Sequence, residues 1–313
     1  MILLVGIPTE APLALVRERL ESAGMEHRVI SQRHCLESAI RMHVAGGDGQ
    51  GSIALSGVLE HQGESIALES CAGIYLRLMD DTALPELAGE QADSPARLHV
   101  RAWHEALTAW CEVTPRRVAN RMSAMGSNAS KPFQAQAIVQ AGFSTPETLV
   151  TSDPEAVRRF HARHGRVIFK SLSGVRSIVK ELDADDLARL EAIRWCPVQF
   201  QAFVPGENVR VHVVGEEVFA TRIHSEATDY RYATRQTGSA AELEPTALDP
   251  GCEARCVALA SALGLPFAGI DLKVAPDGQV FCFEVNPSPG YSYYEGQTGQ
   301  PISAALAEWL AAG

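Results

Sequence analysis

Long apolar runs are missing from this chain. None reaches the roughly 18–20 residues that cross a bilayer as a helix, so no membrane partner is expected. The opening MILLVGIPTEAPLALV is apolar, but it has no basic leader and is broken by Pro8 and Pro12. It reads as strand, turn and helix rather than as a signal peptide. Positive charge is scarce as well. With 27 Lys and Arg against 38 Asp and Glu, the net charge is −11. No run of five basic residues occurs, which argues against a nucleic-acid partner. The seven cysteines are scattered, odd in number and never spaced CxxC. A reducing, cytoplasmic compartment follows. Cys252 and Cys256 at i,i+4, and His161 and His164 at i,i+3, find no partner pairs for zinc and read as helix-packing or surface residues. Familiar phosphate signatures are absent too. The dipeptide Gly-Lys never occurs, GGDGQG (46–51) lacks the GxGxxG spacing, and there is no HRD or DFG.

What is present is an ordinary globular composition, 46% hydrophobic over 313 residues, enough for two or three modest domains. ILLV (2–5), a helix over 11–23 and HRVIS (27–31) form a β-α-β start that suggests a parallel sheet. SIALSGVLE and ESIALES, separated by HQG, form a hairpin. GIYLRL (73–78) is a further strand. A long helix over about 94–112 carries Leu98, Trp103, Leu107 and Trp110, and a domain boundary falls near Pro115. Beyond it come a helix over 130–142, a helix over 154–164, and the strands RVIFK, IVKEL, PVQFQAFV and VRVHVVGEEVFATRIH. A helix over 252–264 then leads to two final strands.

Those two strands carry the most chemistry. FAGIDLKVAPDGQVFCFEVNP contains Asp277-Gly278, a strong two-residue turn signal. If Pro276 pairs with Gln279, Asp271 lies directly opposite Glu284. One face then holds Ile270, Leu272, Val274, Phe281, Phe283 and Val285; the other holds Asp271, Lys273, Cys282, Glu284 and Asn286. Opposed carboxylates repel. Either a hard divalent cation such as Mg²⁺ sits between them, or the face is solvated with Lys273 as partial compensation. Mg²⁺ held by two carboxylates implies phosphates. VIFKSLSGVRS (167–177) offers Lys170 at a strand end, followed by Ser171, Ser173, Gly174 and Arg176, whose side chains and amides suit phosphate oxygens.

VIFKSLSG, VQFQAFVPGENVRVHVVG, FAGIDL and CFEVNPSPG, in that order and spacing, resemble the ATP-grasp superfamily. The branch they resemble is that of the RimK-type ligases and the ligases that modify ribosomal peptides. The resemblance covers residues 116–313. It implies an α/β (α+β) chain with an ATP-grasp fold of two lobes gripping ATP. A Rossmann-like β-α-β pre-ATP-grasp domain precedes it over 1–115. The small lobe is expected over 116–198 and the large lobe, with the metal site, over 199–313.

The resemblance implies roles residue by residue. Lys131 and Lys170 match the lysines that touch the phosphates, with Ser173 and Gly174 in the loop above them. Gln201, Ala202, Phe203 and Val204 match the hinge that holds adenine. Asn208, with Glu207 as substitute, matches the ribose position. Asp271, Glu284 and Asn286 match the metal triad, for Mg²⁺ or Mn²⁺. The pattern departs from relatives at Gln201 and Asn208, which replace acids, and in the loop 171–177, which has one glycine. Nucleotide contacts are therefore expected to be retuned.

The implied activity is that of an ATP-dependent carboxylate–amine ligase acting on a small-molecule or peptide carboxylate and amine through an acyl phosphate. Arg210 and Arg222 are candidates to steady that intermediate. Arg231 and Arg235, in the polar segment 224–238, are candidates to bind a substrate carboxylate. The tyrosines of GYSYYEGQTGQP suit either an acceptor pocket or packing under the last helix. An ATP-grasp phosphotransferase acting on a hydroxyl, and a nucleotide-binding scaffold without turnover, stand as alternatives. Self-association into a homo-oligomer is compatible with the sequence.

Overall fold

The computed structural model describes residues 1–46, 55–172, 179–225 and 238–313. Ser173, Gly174, Arg176, Arg231 and Arg235 lie outside them, as does nearly all of GGDGQG.

A parallel sheet forms in the order His27–Ser31, Ile2–Gly6, Gly73–Arg77, Arg117–Ala119. Its central strand is buried throughout, as a parallel strand covered on both faces must be. Gly73 is required by close packing, because a Cβ there would lie 2.3 Å from the Leu310 carbonyl oxygen of the last helix, Ile302–Ala311. The hairpin of Leu55–His61 and Glu64–Ala67 forms as the alternation predicts. Gln62 and Gly63 turn it, both with positive φ, as a two-residue primed turn needs. Ser38–Val44, a strand the sequence reading does not assign, completes this sheet. Helix Pro95–Val113 begins at Ser94, whose hydroxyl accepts the Arg97 N–H, and buries Trp103, Leu107 and Trp110 along one face.

The remainder folds around two antiparallel sheets. The smaller runs Lys180–Glu181, Val167–Ser171, Val198–Ala202, Thr148–Thr151. The larger runs Glu242–Thr246, Glu217–His224, Glu207–Val214, Phe267–Val274, Val280–Asn286. One face of the larger sheet packs Val209, Val211, Ile270 and Leu272 against Cys256 and Leu259 of helix Pro250–Ala262. Its other face turns towards the smaller sheet and towards Tyr291 and Tyr294. Phe267 and Tyr291 share a core with Leu4, Tyr75 and Leu306, so the last helix joins the parallel sheet to the larger antiparallel one.

Candidate active site

The final hairpin corrects its own prediction. The turn has three residues, Pro276 to Gly278. Ala275 donates its N–H to Gln279 O at 2.9 Å, and Gly278 donates to Ala275 O at 2.9 Å. Only Gly278 has positive φ (84°), as in a type I turn closed by a left-handed glycine. The Pro276–Gln279 pairing therefore does not form, and Leu272 faces Cys282 rather than Phe283. A β-bulge then inserts Phe283 and restores the register, so that Asp271 pairs with Glu284 and Gly269 with Asn286. The bulge also corrects the faces. Cys282 lies in the core at 0% exposure, while Phe283 turns to the cleft beside Lys170. The chain closest to the bulge is clamped by Gln134, one helical turn after Lys131. Gln134 donates to Val285 O at 2.7 Å and accepts the Val285 N–H at 3.0 Å.

Cations meet both carboxylates. Arg210, 5% exposed, donates to Asp271 at 2.7 Å across the strand pair. Lys131, the first residue of helix Lys131–Gln140, donates to Glu284 Oε2 at 3.1 Å and to Asn128 Oδ1 at 2.8 Å. Lys170, on the smaller sheet, places its Nζ 3.6 Å from the same Glu284 oxygen. Among the described residues, Lys131, Lys170 and Arg210 thus converge on Asp271 and Glu284. Asn286 accepts the Ser288 N–H through Oδ1 at 2.9 Å. Asp271, Glu284 and Asn286 line one cavity of about 470 Å³ with Arg210, Tyr293 and Tyr294. Two carboxylates and an amide oxygen in one cavity are a hard-oxygen donor set that suits Mg²⁺ or Mn²⁺.

A second cavity of about 550 Å³ separates the two lobes. Lys131, Lys170, Gln199, Gln201, Val150 and Phe283 line it. Gln201 is 9% exposed and donates to Thr148 Oγ1 at 3.0 Å. At the hinge, Ala202 N–H is taken by Glu147 O at 2.9 Å and Phe203 N–H by Arg166 O at 3.0 Å. Neither amide is therefore open to a base. The Phe203 ring lies between the Arg166 guanidinium at 3.6 Å and the Lys273 ammonium at 5.3 Å. Burial, and then Arg166, push the Lys273 amine below its ordinary range. Asn208 sits on the cleft face, between Lys273 and Ile223.

Two expected residues are not brought in. In the pairing of Glu207–Val214 with Glu217–His224, Arg210 faces Thr221, and Arg222 faces Val209. Side chains alternate along a strand, so Arg222 lies on the face opposite Arg210. It meets Glu207 at 3.3 Å there, which removes Glu207 from the cleft as well. Gln199, which lines the cleft, and Gln134, which clamps Val285, are residues the sequence reading does not single out. Gln199 was legible in principle, two positions before Gln201 on the same strand face. Of the tyrosines in 290–301, Tyr293 and Tyr294 line the cavity of Asp271 and Glu284, and Tyr291 is buried, donating to Pro12 O at 2.5 Å.

A family model described as a RimK-like ATP-grasp domain matches residues 129–310. A probable alpha-L-glutamate ligase 1 of Pseudoalteromonas atlantica is 27% identical over 202 residues, covering 61% of this chain and 66% of that protein. A probable alpha-L-glutamate ligase of Photobacterium profundum gives the same figures. The chain thus spans just under two thirds of the length of these curated relatives. Among solved structures, the ATP-grasp ligase PsnB complexed with a phosphomimetic variant of its minimal precursor, Mg and ADP is 30% identical, with a TM-score of 0.75. That match covers 99% of this chain and 97% of PsnB. The macrocyclase MdnC of Microcystis aeruginosa MRC, bound with precursor peptide MdnA, has the same fold at 21% identity, with a TM-score of 0.78 and coverage of 100% and 99%.

Proposed function

Because the chain belongs to the RimK-like ATP-grasp family, we propose that it is an ATP-dependent carboxylate–amine ligase acting on an amino acid or a peptide. The observation that carries this reading is the convergence of Lys131 and Lys170, from two different elements, on Glu284 opposite Asp271. Asp271, Glu284 and Asn286 would hold Mg²⁺, which supplies charge neutralisation to a polyphosphate when bound. The 550 Å³ cavity, with Phe283 as an apolar contact, and the adjoining cavity of about 470 Å³ lined by Phe203 and Val204 would take the nucleotide, the Val204 amide being the hinge donor left to the base.

The reaction joins two anions that repel, so positive charge is its first requirement. A substrate carboxylate oxygen bonds to the γ-phosphorus, and the bond to the β-phosphate oxygen breaks to release ADP. The amine nitrogen then bonds to the acyl carbon. Phosphate leaves with the electron pair of the broken C–O bond, and the nitrogen loses a proton. Lys131 and Lys170 neutralise phosphate oxygens during the first step. Arg210, oriented by Asp271 and by the Tyr294 ring 5.8 Å away, is placed to steady the acyl phosphate. Ser173 and Gly174 would close over the phosphates, and Arg231 and Arg235 would bind the substrate carboxylate. Support for a peptide substrate comes from PsnB, which was captured with a precursor. All seven cysteines are free and six are buried, which suits a reducing cytoplasm.

Hydroxylamine trapping tests the proposal. Purified protein is given Mg-ATP, a pool of amino acids and peptides, and hydroxylamine. Hydroxamate formed with ADP supports the ligase. A phosphorylated product without hydroxamate makes it a phosphotransferase, and no turnover with any carboxylate leaves a nucleotide-binding scaffold.

A further inference from the structure

The segment after the metal strand, Pro287 to Tyr291, is held by the first 120 residues at successive points. Asn120, 2% exposed, donates through Nδ2 to Pro287 O at 2.6 Å. The same nitrogen donates to Phe267 O at 2.6 Å, and the side-chain oxygen accepts the Phe267 N–H at 3.2 Å. Tyr291 is tied to Pro12 O. Between these anchors lies Arg77, the last residue of a central parallel strand, with its side chain only 9% exposed. Its Nη1 donates to Ser288 Oγ at 3.2 Å and to Pro289 O at 3.4 Å. Its Nε donates to Glu10 Oε2 at 3.0 Å, and Nη2 bonds the other Glu10 oxygen. Ser288 in turn gives its N–H to Asn286 Oδ1. A chain of hydrogen bonds therefore runs from Glu10 through Arg77 and Ser288 to Asn286.

We propose that Arg77 is a positioning residue for the metal site: it fixes Ser288 and so the rotamer in which Asn286 offers its oxygen to Mg²⁺. This rests on the reading of Asp271, Glu284 and Asn286 as the metal ligands. The physical reason is directional. An Asn side chain has a broad terminal torsion, and without an anchored donor at Ser288 its oxygen and nitrogen exchange places freely. Glu10, 36% exposed, lines a cavity of about 420 Å³ with Arg77 and Ser288, so the first domain would contribute to nucleotide binding without touching the nucleotide.

The test is calorimetric titration with ADP, once in Mg²⁺ and once in EDTA. The wild-type chain should bind ADP more tightly in Mg²⁺. Arg77→Lys keeps a cation for Glu10 but loses the fork that reaches Ser288 and Pro289. It should cut the Mg²⁺ enhancement about tenfold, as loss of an outer-shell partner does, with ADP affinity in EDTA changed less than twofold. Ser288→Ala leaves the Arg77–Glu10 pair intact. It should cut the enhancement about threefold, the loss of one ordinary hydrogen bond, and it decides the matter if Arg77→Lys fails to fold. Enhancement retained in Ser288→Ala and in a folded Arg77→Lys, or equal losses with and without Mg²⁺, overturns the inference and leaves the metal site standing. A wild-type chain indifferent to Mg²⁺ overturns the metal site and the inference with it.

Discussion

Asp271 and Glu284 face each other across two strands whose turn, taken alone, would set them one residue out of register. The three-residue turn at Pro276–Gly278 shifts the pairing, and the bulge at Phe283 shifts it back. The opposition of the two acids thus needs both shifts, and together they bring Phe283 to the cleft, where strict alternation would have buried it. The two lysines and Arg210 make the acids tolerable in the absence of a metal ion.

Glu284→Gln removes the one carboxylate both lysines share. It should lower ATP turnover by at least about a hundredfold, since charge placement carries most of phosphoryl transfer. The melting temperature of the ligand-free chain should move by no more than a few degrees, because partly exposed ion pairs add little stability. A collapse of the melting temperature would make Glu284 a structural residue.

Gly269 permits the Arg210–Asp271 pair. A Cβ at this position would lie 2.0 Å from Arg210 Nη2 and 2.8 Å from Pro289 Cβ. Gly269→Ala should displace the guanidinium and reduce kcat by roughly a hundredfold, the scale expected of a misplacement near 1 Å. Wild-type kcat in this variant would show that Arg210 does not act in the reaction.

Gly278 holds the left-handed position of the turn, with nothing within 4 Å of a Cβ there. Gly278→Val should therefore destabilise through backbone strain alone, by about 1–2 kcal/mol in chemical denaturation. Asp277→Gly should also destabilise, since Asp277 has ordinary negative φ and its Oδ1 accepts the Gln279 N–H at 3.0 Å. A gain in stability in Asp277→Gly would point instead to the two-residue turn, in which this residue too has positive φ.

His212 is buried at 0% exposure, and neither ring nitrogen has a hydrogen-bond partner among the described residues. Burial, and then Arg210, hold its pKa well below the usual histidine value. The folded chain keeps it neutral, so stability is complete above the unfolded-state pKa of about 6.5 and is lost as pH falls below it. The loss should approach about 1.4 kcal/mol for each pH unit below that point. Burial lowers the pKa values of His61 and His104 as well, and they add to the slope in the same sense. His212→Phe keeps a ring against Tyr294 and should flatten the dependence of the melting temperature on pH between 7 and 5. An unchanged slope would assign the acid sensitivity elsewhere.

Sequence alone determined the local, periodic features. The alternation around Gln62-Gly63, the cap of helix Pro95–Val113 and the ordered motifs around Lys170, Asp271 and Glu284 are each written within a few residues, because short-range sterics and hydrogen bonding decide them. Tertiary structure alone decided what depends on register and on distant partners. A bulge of one residue carried Cys282 into the core and Phe283 into the cleft, and strand pairing set Arg222 on the face opposite Arg210. The grip of Arg77 and Asn120 on the segment after strand Val280–Asn286 spans 211 and 167 residues of chain, and no local pattern encodes a contact between groups that only folding brings within hydrogen-bond reach.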